Sequence, residues 1–483
     1  MAYAVDVKRL GSCIAAVLLS AVLIWSGTGL QPWWPLTWFA PLPVLLFAKD
    51  ALWWDAALVA GLAMPLGLLN LWGLLHGALH VPAGILARTY AAEGIVFALA
   101  VLLFRALLRR GARWSALLAF PALLVSFEYL LNLTSPHGTG GSLAYSQLGF
   151  LPFLQLASIT GPWGMSFLLL LFPAAMAVAW HLRNTARQEA WRILGVTAGV
   201  LAAVLVFGAV RLALPAPGEP VKVGLIASDG SNEDVADEGE ATARLFQSYA
   251  YVAAKLAAEG AQVVVIPEKL GMEVDPDQKT ADAVFQPLAD RTGAVIVAGM
   301  IRVAPPLKYN EARVYRRGQP VLAYDKEHML PPFESKLTPG TTLTTLPAPS
   351  GTWGVAICKD MDFTQPARQY GQAGAGLMLV PGWDFFEDWI QHGHMAIMRG
   401  VESGFGVVRA AKGGSLFVSD NRGRILAETK SDSAPFATLM AEVPATHGTT
   451  LYLLLGDWFA WVVLATFLFA LVQLVRHRKH PQV

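Results

Sequence analysis

Three side chains that could act together as a nucleophile, a base and a cation occur in the second half of the 483-residue chain. Each follows an apolar run that has the character of a strand: Glu268 after 263–267, Lys326 after 321–325 and Cys358 after 354–357. A carboxylate can take the proton of a thiol as general base, and a lysine can lower the pKa of the thiol and stabilise an oxyanion. The resulting thiolate attacks a carbonyl and forms a thioester. The three residues therefore predict covalent acyl chemistry at Cys358.

These side chains need a fold that brings them to one place, and the surrounding sequence predicts one. Runs typical of buried strands lie at 221–226, 262–266, 294–298, 352–357 and 376–380, and they alternate with helical patterns at 240–258, 280–291 and 392–404. This alternation predicts an α/β domain whose helices cover a sheet. Because a strand end holds a side chain rigidly at the rim of the sheet, Glu268, Lys326 and Cys358 can share one site.

Charged residues are distributed unevenly along the chain. Of all residues, 54% are hydrophobic and only 15% are charged, whereas an average soluble domain has about a quarter charged residues. Residues 216–449 hold 49 of the 71 charged side chains and have a net charge of −7, whereas the remainder has a net charge of +8. This division excludes a purely soluble enzyme and a disordered chain. The soluble part has no basic patch, so nothing indicates a nucleic-acid partner.

Eight apolar runs approach the length of about 17–25 residues that a membrane-spanning helix needs. They lie at 10–28, 33–48, 51–75, 86–108, 115–133, 162–181, 193–214 and 451–475, and the second and fifth are short or polar enough to be re-entrant. The first follows Lys8 and Arg9 as in a signal peptide. Its cleavage-like box at 10–13 precedes the apolar run, however, which favours an uncleaved anchor. The sequence thus predicts a polytopic α-helical membrane domain with about eight spans.

Lysine and arginine residues divide the connecting loops into two classes. They occur near the N-terminus, between spans four and five, between spans six and seven and after span eight, but not at 76–85 or 134–161. By the positive-inside rule both termini are cytoplasmic, and the soluble domain faces the outer side, which is the periplasm for a bacterial inner membrane. The predicted domains are 1–214, 215–449 with its linker Pro215–Gly218, and 450–483 with a basic tail.

The remaining cysteine, histidine and membrane-span glutamate residues do not predict a specific chemistry. Cys13 is the only cysteine besides the candidate nucleophile, so neither a disulfide framework nor a zinc site is expected. His392 and His394 are i,i+2 neighbours on a predicted helix and point apart, which favours a structural role over metal ligation. Glu93 and Glu128 lie within apolar spans, where an ionisable group is either functional or paired with a polar neighbour.

Several motifs of the soluble domain resemble those of the nitrilase (carbon–nitrogen hydrolase) superfamily. They are Pro267-Glu268, Tyr324 to His328 and Ile357-Cys358. The whole chain resembles the apolipoprotein N-acyltransferase family, a membrane branch in which such a domain lies between seven N-terminal spans and one C-terminal span. The likeness continues through Ala144–Gln147, Lys326–Glu334, His394–Arg399, Glu402, Arg409 and Asp420–Gly423. It implies a nitrilase-like α-β-β-α sandwich for the soluble domain.

The resemblance also implies a two-step acyl transfer by a Glu-Lys-Cys triad. Cys358 would attack the ester of a phospholipid with Glu268 as base and Lys326 as oxyanion stabiliser, and the thioester would then acylate the α-amino group of a lipoprotein's diacylglyceryl-cysteine. Glu334 would be a second active-site carboxylate, which orients the lysine or assists proton transfer. The implied enzyme is a monomer without metal or cofactor. Its partners are a phospholipid donor, a lipoprotein or other amine acceptor, and membrane lipid.

Four segments around the nucleophile depart from the family pattern. This chain has Ser228–Ser231 where the family usually has a segment containing Gln and Trp, and it has Lys359-Asp360 where the family has Tyr-Glu. It has Gly382–Phe386 in place of the family's Asn-Asp-x-Trp-Phe, and Lys412–Gly414 in place of Asn-Asn-Gly. These segments shape what reaches the thiol, so the substrate-binding candidates are Lys359, Asp360, Trp383, Phe385 and Lys412. A cation at Lys359 favours the thiolate if it points inward, and has no such effect if it points to solvent.

Three functions agree with these residues. The first is a membrane-bound N-acyltransferase that moves a phospholipid acyl chain to a lipoprotein N-terminus or, given the departures, to a different amine. The second is a membrane-anchored amidase of the nitrilase class, which uses water on an amide. The third is a non-catalytic lipoprotein-binding or scaffold protein, against which the intact triad argues. Eight spans favour the transferase, since a hydrolase of soluble amides needs at most one anchor.

Overall fold

The computed structural model of the chain describes residues 7–214, 219–229, 235–236, 239–274 and 279–477. The described residues form two compact units. One comprises the chain up to Leu133, Ser142–Val210 and the chain from Asp457 on, and the other comprises Thr134–Gly141 and Arg211–Gly456. Several features predicted from the sequence lie outside the described residues, namely the linker Pro215–Gly218, the positions Gly230 and Ser231, and the basic residues Arg478 and Lys479.

The first unit is entirely helical. In chain order its helices are α1 (Val7–Gly27), α2 (Trp34–Thr37), α3 (Leu42–Ala48), α4 (Trp53–Leu68), α5 (Ala83–Arg109), α6 (Arg113–Asn132), α7 (Leu151–Leu154), α8 (Ala157–Thr160), α9 (Pro162–Leu182), α10 (Arg187–Ala213) and a C-terminal helix, Trp458–Arg476. Short 3-10 helices at Leu69–Leu71 and Leu143–Gln147 and a π-helical turn at Gly73–Ala78 complete it. Within the described residues, seven helices have the length and composition to cross a membrane: α1, α4 with its 3-10 extension, α5, α6, α9, α10 and the C-terminal helix.

The second of the eight predicted spans, 33–48, is shorter than the others. Pro35, Pro41 and Pro43 divide it into α2 and α3, because proline lacks the amide hydrogen that helix continuation needs. At 1.5 Å per residue, the apolar segment Trp34–Ala48 reaches only about 22 Å of the roughly 30 Å hydrocarbon core. The fifth predicted span instead forms the complete helix α6.

The second unit contains two β-sheets. The first has the order β13-β1-β2-β4-β5-β6, with β3 paired to β4, and the second has the order β12-β11-β10-β9-β8-β7. The strands are β1 (Pro220–Ala227), β2 (Val263–Val265), β3 (Met272–Val274), β4 (Val295–Ala304), β5 (Leu307–Tyr315), β6 (Leu322–Asp325), β7 (Thr344–Ala348), β8 (Gly351–Val355), β9 (Ala375–Trp383), β10 (Gly406–Lys412), β11 (Ser415–Ser419), β12 (Ile425–Lys430) and β13 (Ala437–Pro444). The five predicted strands are confirmed as β1, β2, β4, β8 and β9.

Helices cover the outer faces of the two sheets. They are α11 (Glu240–Ala258), α12 (Thr280–Thr292), α13 (Thr364–Gln372), α14 (Gln391–Ser403) and α15 (Leu451–Leu455). One apolar core lies between the sheets, where Val223 and Val265 meet Val355 and Leu379. A second core lies between the first sheet and α11 and α12, and α13 and α14 pack on the second sheet. The unit is therefore the α-β-β-α sandwich that the sequence predicted.

Candidate active site

A buried charged cluster surrounds Lys326, which directly follows β6. Its Nζ lies 2.9 Å from Oε1 of Glu268 and 2.8 Å from Oε2 of Glu334. Asn310 Nδ2 donates to Oε1 of Glu268 at 2.5 Å and to Oε1 of Glu334 at 2.8 Å. Lys269 Nζ lies 2.7 Å from Oε1 of Glu334. The structure thus brings the two predicted carboxylates, Glu268 and Glu334, into direct contact with the predicted lysine.

The cluster fixes the protonation of its members. Burial disfavours the charged form of Lys326, but Glu268 and Glu334 hold its pKa well above the ordinary value of a lysine. Burial would also raise the pKa of Glu334, but the ammonium groups of Lys326 and Lys269 hold it below its ordinary value. At neutral pH the site therefore contains a charged lysine that is held in place by carboxylates.

Cys358 opens the short 3-10 helix Cys358–Asp362, three residues beyond the end of β8. Its φ is +44°, in the left-handed region that residues other than glycine rarely adopt. The thiol is buried, and Sγ lies 3.5 Å from the carbonyl oxygen of Trp383. Burial, with a contribution from the charge of Glu268, raises the pKa of the thiol to about 11, and Lys326 acts in the opposite direction. Cys358 is thus a thiol at neutral pH, and it needs a base before it can act as a nucleophile.

A second buried ionic network also reaches Cys358. Arg409 donates to both oxygens of Asp384, at 2.6 and 2.5 Å, and its Nη2 lies 3.6 Å from the cysteine sulfur. His392 Nδ1 lies 2.8 Å from Oδ1 of Asp384, and its Nε2 lies 3.3 Å from Oδ1 of Asp362. Burial would lower the pKa of His392, but Asp362 and Asp384 hold it well above its ordinary value. The thiol therefore has a guanidinium and an imidazolium near it, besides Lys326.

This network was missed as a site from the sequence, where His392 was assigned only a structural role. Two signals could have found it. Asp384 directly follows β9, in the same position relative to its strand as Lys326 relative to β6. Arg409 is the only charged residue among its apolar neighbours in β10 before Lys412, and a buried charge of this kind needs a partner.

The described residues contain one group with the spacing of metal ligands. Sγ of Cys358, a carboxylate oxygen of Asp384 and a ring nitrogen of His392 lie within 4.8 Å of one another. Both ring nitrogens of the histidine, however, already face carboxylates, and the guanidinium of Arg409 lies beside the sulfur. A further cation would add positive charge next to these groups, so the residues fit an ionic network better than a metal centre.

Asp360 joins the nucleophile helix to the loop that carries Lys326. Its Oδ2 accepts from the Tyr324 hydroxyl at 2.8 Å and from the backbone of Ile357 at 3.0 Å. Its Oδ1 accepts from the backbone N–H groups of Glu327 at 3.1 Å and His328 at 2.8 Å. Both oxygens of this predicted substrate contact are thus engaged within the protein, and the side chain sets the distance between the two loops.

Lys359 follows the nucleophile but is directed away from solvent. Its ammonium is buried and lies 3.7 Å from Oδ2 of Asp362 and 3.2 Å from Nδ1 of His137. Burial lowers its pKa, which Asp362 opposes. Of the two orientations that the sequence left open, the structure excludes the one toward solvent.

The other substrate-binding candidates lie around an aromatic ring. Lys412 is buried, and its Nζ lies 3.4 Å from the ring centroid of Trp383 and 3.4 Å from the carbonyl oxygen of Lys269. Phe385 is partly buried, and its ring centroid lies 5.5 Å from that of Phe333, which is exposed. Because the carbonyl of Trp383 contacts Sγ of Cys358, Trp383 connects this aromatic and cationic surface to the nucleophile.

Comparisons with known proteins agree with this geometry. The apolipoprotein N-acyltransferase N-terminal domain matches residues 20–175, and the carbon-nitrogen hydrolase domain matches residues 231–448. A curated apolipoprotein N-acyltransferase of Geobacter metallireducens is 28% identical over 474 residues, which cover 89% of this chain and 89% of that protein. Over both of its parts the chain is thus similar to apolipoprotein N-acyltransferases, and these similarities support an N-acyltransferase of the nitrilase superfamily. Glu268, Lys326, Glu334 and Cys358 all lie within the part that matches the carbon-nitrogen hydrolase domain.

Other curated apolipoprotein N-acyltransferases are similar to this chain over a shorter range. The one from Rhizobium meliloti is 28% identical over 371 residues, covering 69% of this chain and 68% of that protein. Among solved structures, Nit3 of Saccharomyces cerevisiae, a member of branch 10 of the nitrilase superfamily, superposes with a TM-score of 0.41 and 23% identity, over 48% of this chain and 92% of that one. With bacterial relatives and seven apolar helices among the described residues, the protein is an inner-membrane protein.

Proposed function

We propose that the chain transfers an acyl group from a phospholipid to the α-amino group of a diacylglyceryl-cysteine lipoprotein, through a thioester at Cys358. One observation carries the proposal: the ammonium of Lys326 lies 2.9 Å from the carboxylate of Glu268, and both charges act on the pKa of the buried thiol of Cys358. Support comes from the match of the helical part to the apolipoprotein N-acyltransferase N-terminal domain, the match of the sandwich to the carbon-nitrogen hydrolase domain, and the similarity to curated apolipoprotein N-acyltransferases over most of the chain.

In the first step Glu268 takes the thiol proton, and Sγ of Cys358 attacks the ester carbonyl carbon of the phospholipid. Lys326 stabilises the negative charge that develops on the carbonyl oxygen, because its ammonium is already fixed in place by two carboxylates. The tetrahedral intermediate then expels the lysophospholipid alkoxide, which takes the proton from Glu268. The products are an acyl thioester and a lysophospholipid.

In the second step the neutral amine of the acceptor attacks the thioester carbonyl. Lys326 again stabilises the oxyanion, Glu268 takes the proton that the amine loses, and the C–S bond breaks. The proton returns to the sulfur, which restores the thiol and leaves an amide on the acceptor. Glu334 holds Lys326 in both steps through its 2.8 Å contact.

The positions of lysine and arginine support an outer location for the sandwich domain. Three clusters of basic residues in the helical unit lie at Lys8 and Arg9, at Arg109–Arg113 and at Arg183–Arg192. These positions share one side of a membrane only if the short segment Trp34–Ala48 carries the chain across, and its α3 is buried at Val44, Leu45 and Ala48. Both termini are then cytoplasmic. A cysteine placed at the exposed Asp432 should react with an impermeant maleimide in spheroplasts, and protection from the reagent until lysis would contradict this topology.

The acceptor separates the transferase from a nitrilase-type amidase. We expect a thioester preformed on Cys358 to be cleared by a synthetic diacylated lipopeptide at least about a hundredfold faster than by water, because an amine is the stronger nucleophile and the site is buried. Mass spectrometry should find the acyl chain on the peptide's α-amino group. The same lipopeptide with an acetylated N-terminus is the matched control and should not clear the thioester.

Two other results of this experiment would contradict the proposal. Release of free fatty acid at one rate with and without the lipopeptide would indicate a hydrolase. A thioester that is stable to the lipopeptide but is cleared by another amine would indicate an N-acyltransferase with a different acceptor.

A further inference from the structure

A loop segment between two membrane helices belongs to the compact unit that contains the nucleophile. The segment Thr134–Gly141 begins two residues after α6 ends at Asn132 and precedes the 3-10 helix Leu143–Gln147. In the sequence, the segment Thr134–Gly141 differs from other loops only in its lack of basic residues. Its first eight residues carry no catalytic side chain of the proposed reaction.

The segment contacts the far end of the nucleophile helix Cys358–Asp362. The backbone N–H of Thr139 donates to the carbonyl oxygen of Asp362 at 3.0 Å, and the Thr139 hydroxyl donates to the same oxygen at 2.6 Å. Carbonyl groups at the end of a helix have no partner within it, so they need one from elsewhere when they are buried. Thr139, itself buried, supplies two donors to this one acceptor.

The neighbours of Thr139 make the contact tight. Gly138 has a φ of +52°, and a Cβ atom added there would lie 2.7 Å from the carbonyl oxygen of Asp362 and 2.9 Å from the ring of Phe363. His137 Nδ1 lies 3.2 Å from Nζ of Lys359, the residue after the nucleophile. Three consecutive residues of the segment thus hold two residues of the nucleophile helix.

The nucleophile helix has reason to need such support. Cys358 has a left-handed φ of +44°, and a conformation of this kind persists only where the surroundings fix it. Asp360 fixes the helix from the side of Lys326, as described above. Asp362, which Thr139 holds by its backbone, also carries the carboxylate that faces His392 at 3.3 Å. The segment therefore holds the opposite end of a short strained element.

We propose that Thr134–Gly141 is a clamp that keeps Cys358 in its reactive conformation, with Thr139 as the main positioning residue. The clamp acts through the backbone of Asp362 and does not touch the reacting atoms. The segment follows α6 and Leu133 in the chain, and it belongs to the same compact unit as the nucleophile helix. The role of the clamp in acyl transfer rests on the function proposed above. Its effect on the reactivity of the Cys358 thiol does not depend on that function.

The paired variants Thr139→Val and Thr139→Ser test the clamp. Valine keeps the shape and the backbone donor but loses the hydroxyl, whereas serine keeps the hydroxyl. We expect thioester formation from a labelled phospholipid to be about tenfold slower in Thr139→Val, in kcat with KM unchanged, and within about twofold of wild type in Thr139→Ser. Gly138→Ala should slow it by about a hundredfold, because its Cβ displaces Asp362.

A second readout needs no lipid, so it separates failure of the clamp from failure of the proposed function. The rate at which iodoacetamide alkylates Cys358 should fall in Thr139→Val and recover in Thr139→Ser, even if wild type takes no acyl chain from phospholipid. Equal alkylation rates in Thr139→Val and wild type would overturn the clamp, as would an equal loss in both threonine variants. A rise in KM at unchanged kcat would also overturn it, since that result would make Thr139 a substrate contact.

Discussion

Glu268→Gln should slow thioester formation at Cys358 by about a thousandfold at neutral pH, within the range that general base catalysis contributes. The reason lies in the thiol, whose pKa burial raises to about 11, so that almost none of it is thiolate without a base. Glutamine keeps the size of the side chain and can still accept from Asn310 and Lys326, but it cannot take a proton. Single-turnover assays with labelled phospholipid measure this rate.

The pH dependence distinguishes loss of the base from general damage. In Glu268→Gln the rate should rise about tenfold per pH unit, because only spontaneous ionisation of the thiol supplies the nucleophile. The rise should end below pH 11, since the negative charge of Glu268 is one of the causes that raise the pKa of Cys358. Glu273→Gln is the matched control, because Glu273 is equally buried and paired with Arg313 at 2.7 Å. A Glu268→Gln enzyme that reacts like this control at every pH would contradict the assignment of the base.

Lys326→Met should have the second largest effect, with losses of both stability and rate. Removing the ammonium leaves Glu268 and Glu334 buried as like charges, and breaking a buried ion pair in this way costs about 3–5 kcal/mol. Lys269, 2.7 Å from Glu334 and 3.6 Å from Glu268, offsets part of that loss. The oxyanion also loses its cation, which we expect to slow thioester formation by about 10²–10³-fold. Thermal unfolding and the single-turnover assay measure the two effects separately.

The double variant Lys326→Met with Glu334→Gln decides whether the lysine acts in the chemistry or only balances charge. Glutamine removes one of the two unpaired carboxylates, so the double variant should recover most of the unfolding temperature. Its rate of thioester formation should stay as low as that of Lys326→Met. Recovery of the rate together with the stability would show that Lys326 only neutralises its neighbours.

The part of the site that follows strand ends could be predicted from the sequence. Glu268, Lys326 and Cys358 each come after a recognisable apolar run. The first two runs belong to one sheet and the third belongs to the other, and the two sheets pack on each other through a common core. Glu334 lies in a loop without periodicity, and only the family resemblance indicated it. Residue type and spacing are therefore enough to predict a site residue when a regular strand determines where that residue lies.

The rest of the site depends on contacts between distant segments, which one sequence does not show. The sequence pairs His392 only with its helix neighbour His394, whereas its partners in the structure are Asp362 at the end of the nucleophile helix and Asp384 after β9. The sequence predicts Asp360 as a substrate contact because it lies in a segment beside the nucleophile that departs from the family pattern. In the structure, its Oδ1 instead accepts hydrogen bonds from two backbone N–H groups of the loop that carries Lys326. The clamp at Thr139 is more than two hundred residues from Asp362 in the chain.

In the helical unit, too, the sequence predicts what composition and length determine but not what depends on packing. Long apolar runs were recognised as helices because composition and length alone determine them, and seven such helices are found among the described residues. Whether the short run at 33–48 spans the membrane is harder to predict, because three prolines interrupt it and the neighbouring helices bury its second half. Its role in the topology depends on packing that the sequence does not show.

The central claim is that Cys358 takes an acyl chain from phospholipid, and one measurement tests it most directly. The purified protein is incubated with a phospholipid of known labelled acyl chain and no acceptor, and the Cys358 peptide is then analysed by mass spectrometry. We predict the mass of one acyl chain on Cys358 and an equal amount of lysophospholipid, with neither product in Cys358→Ala. An unmodified Cys358 peptide, with lysophospholipid release indistinguishable between wild type and Cys358→Ala, would contradict the account.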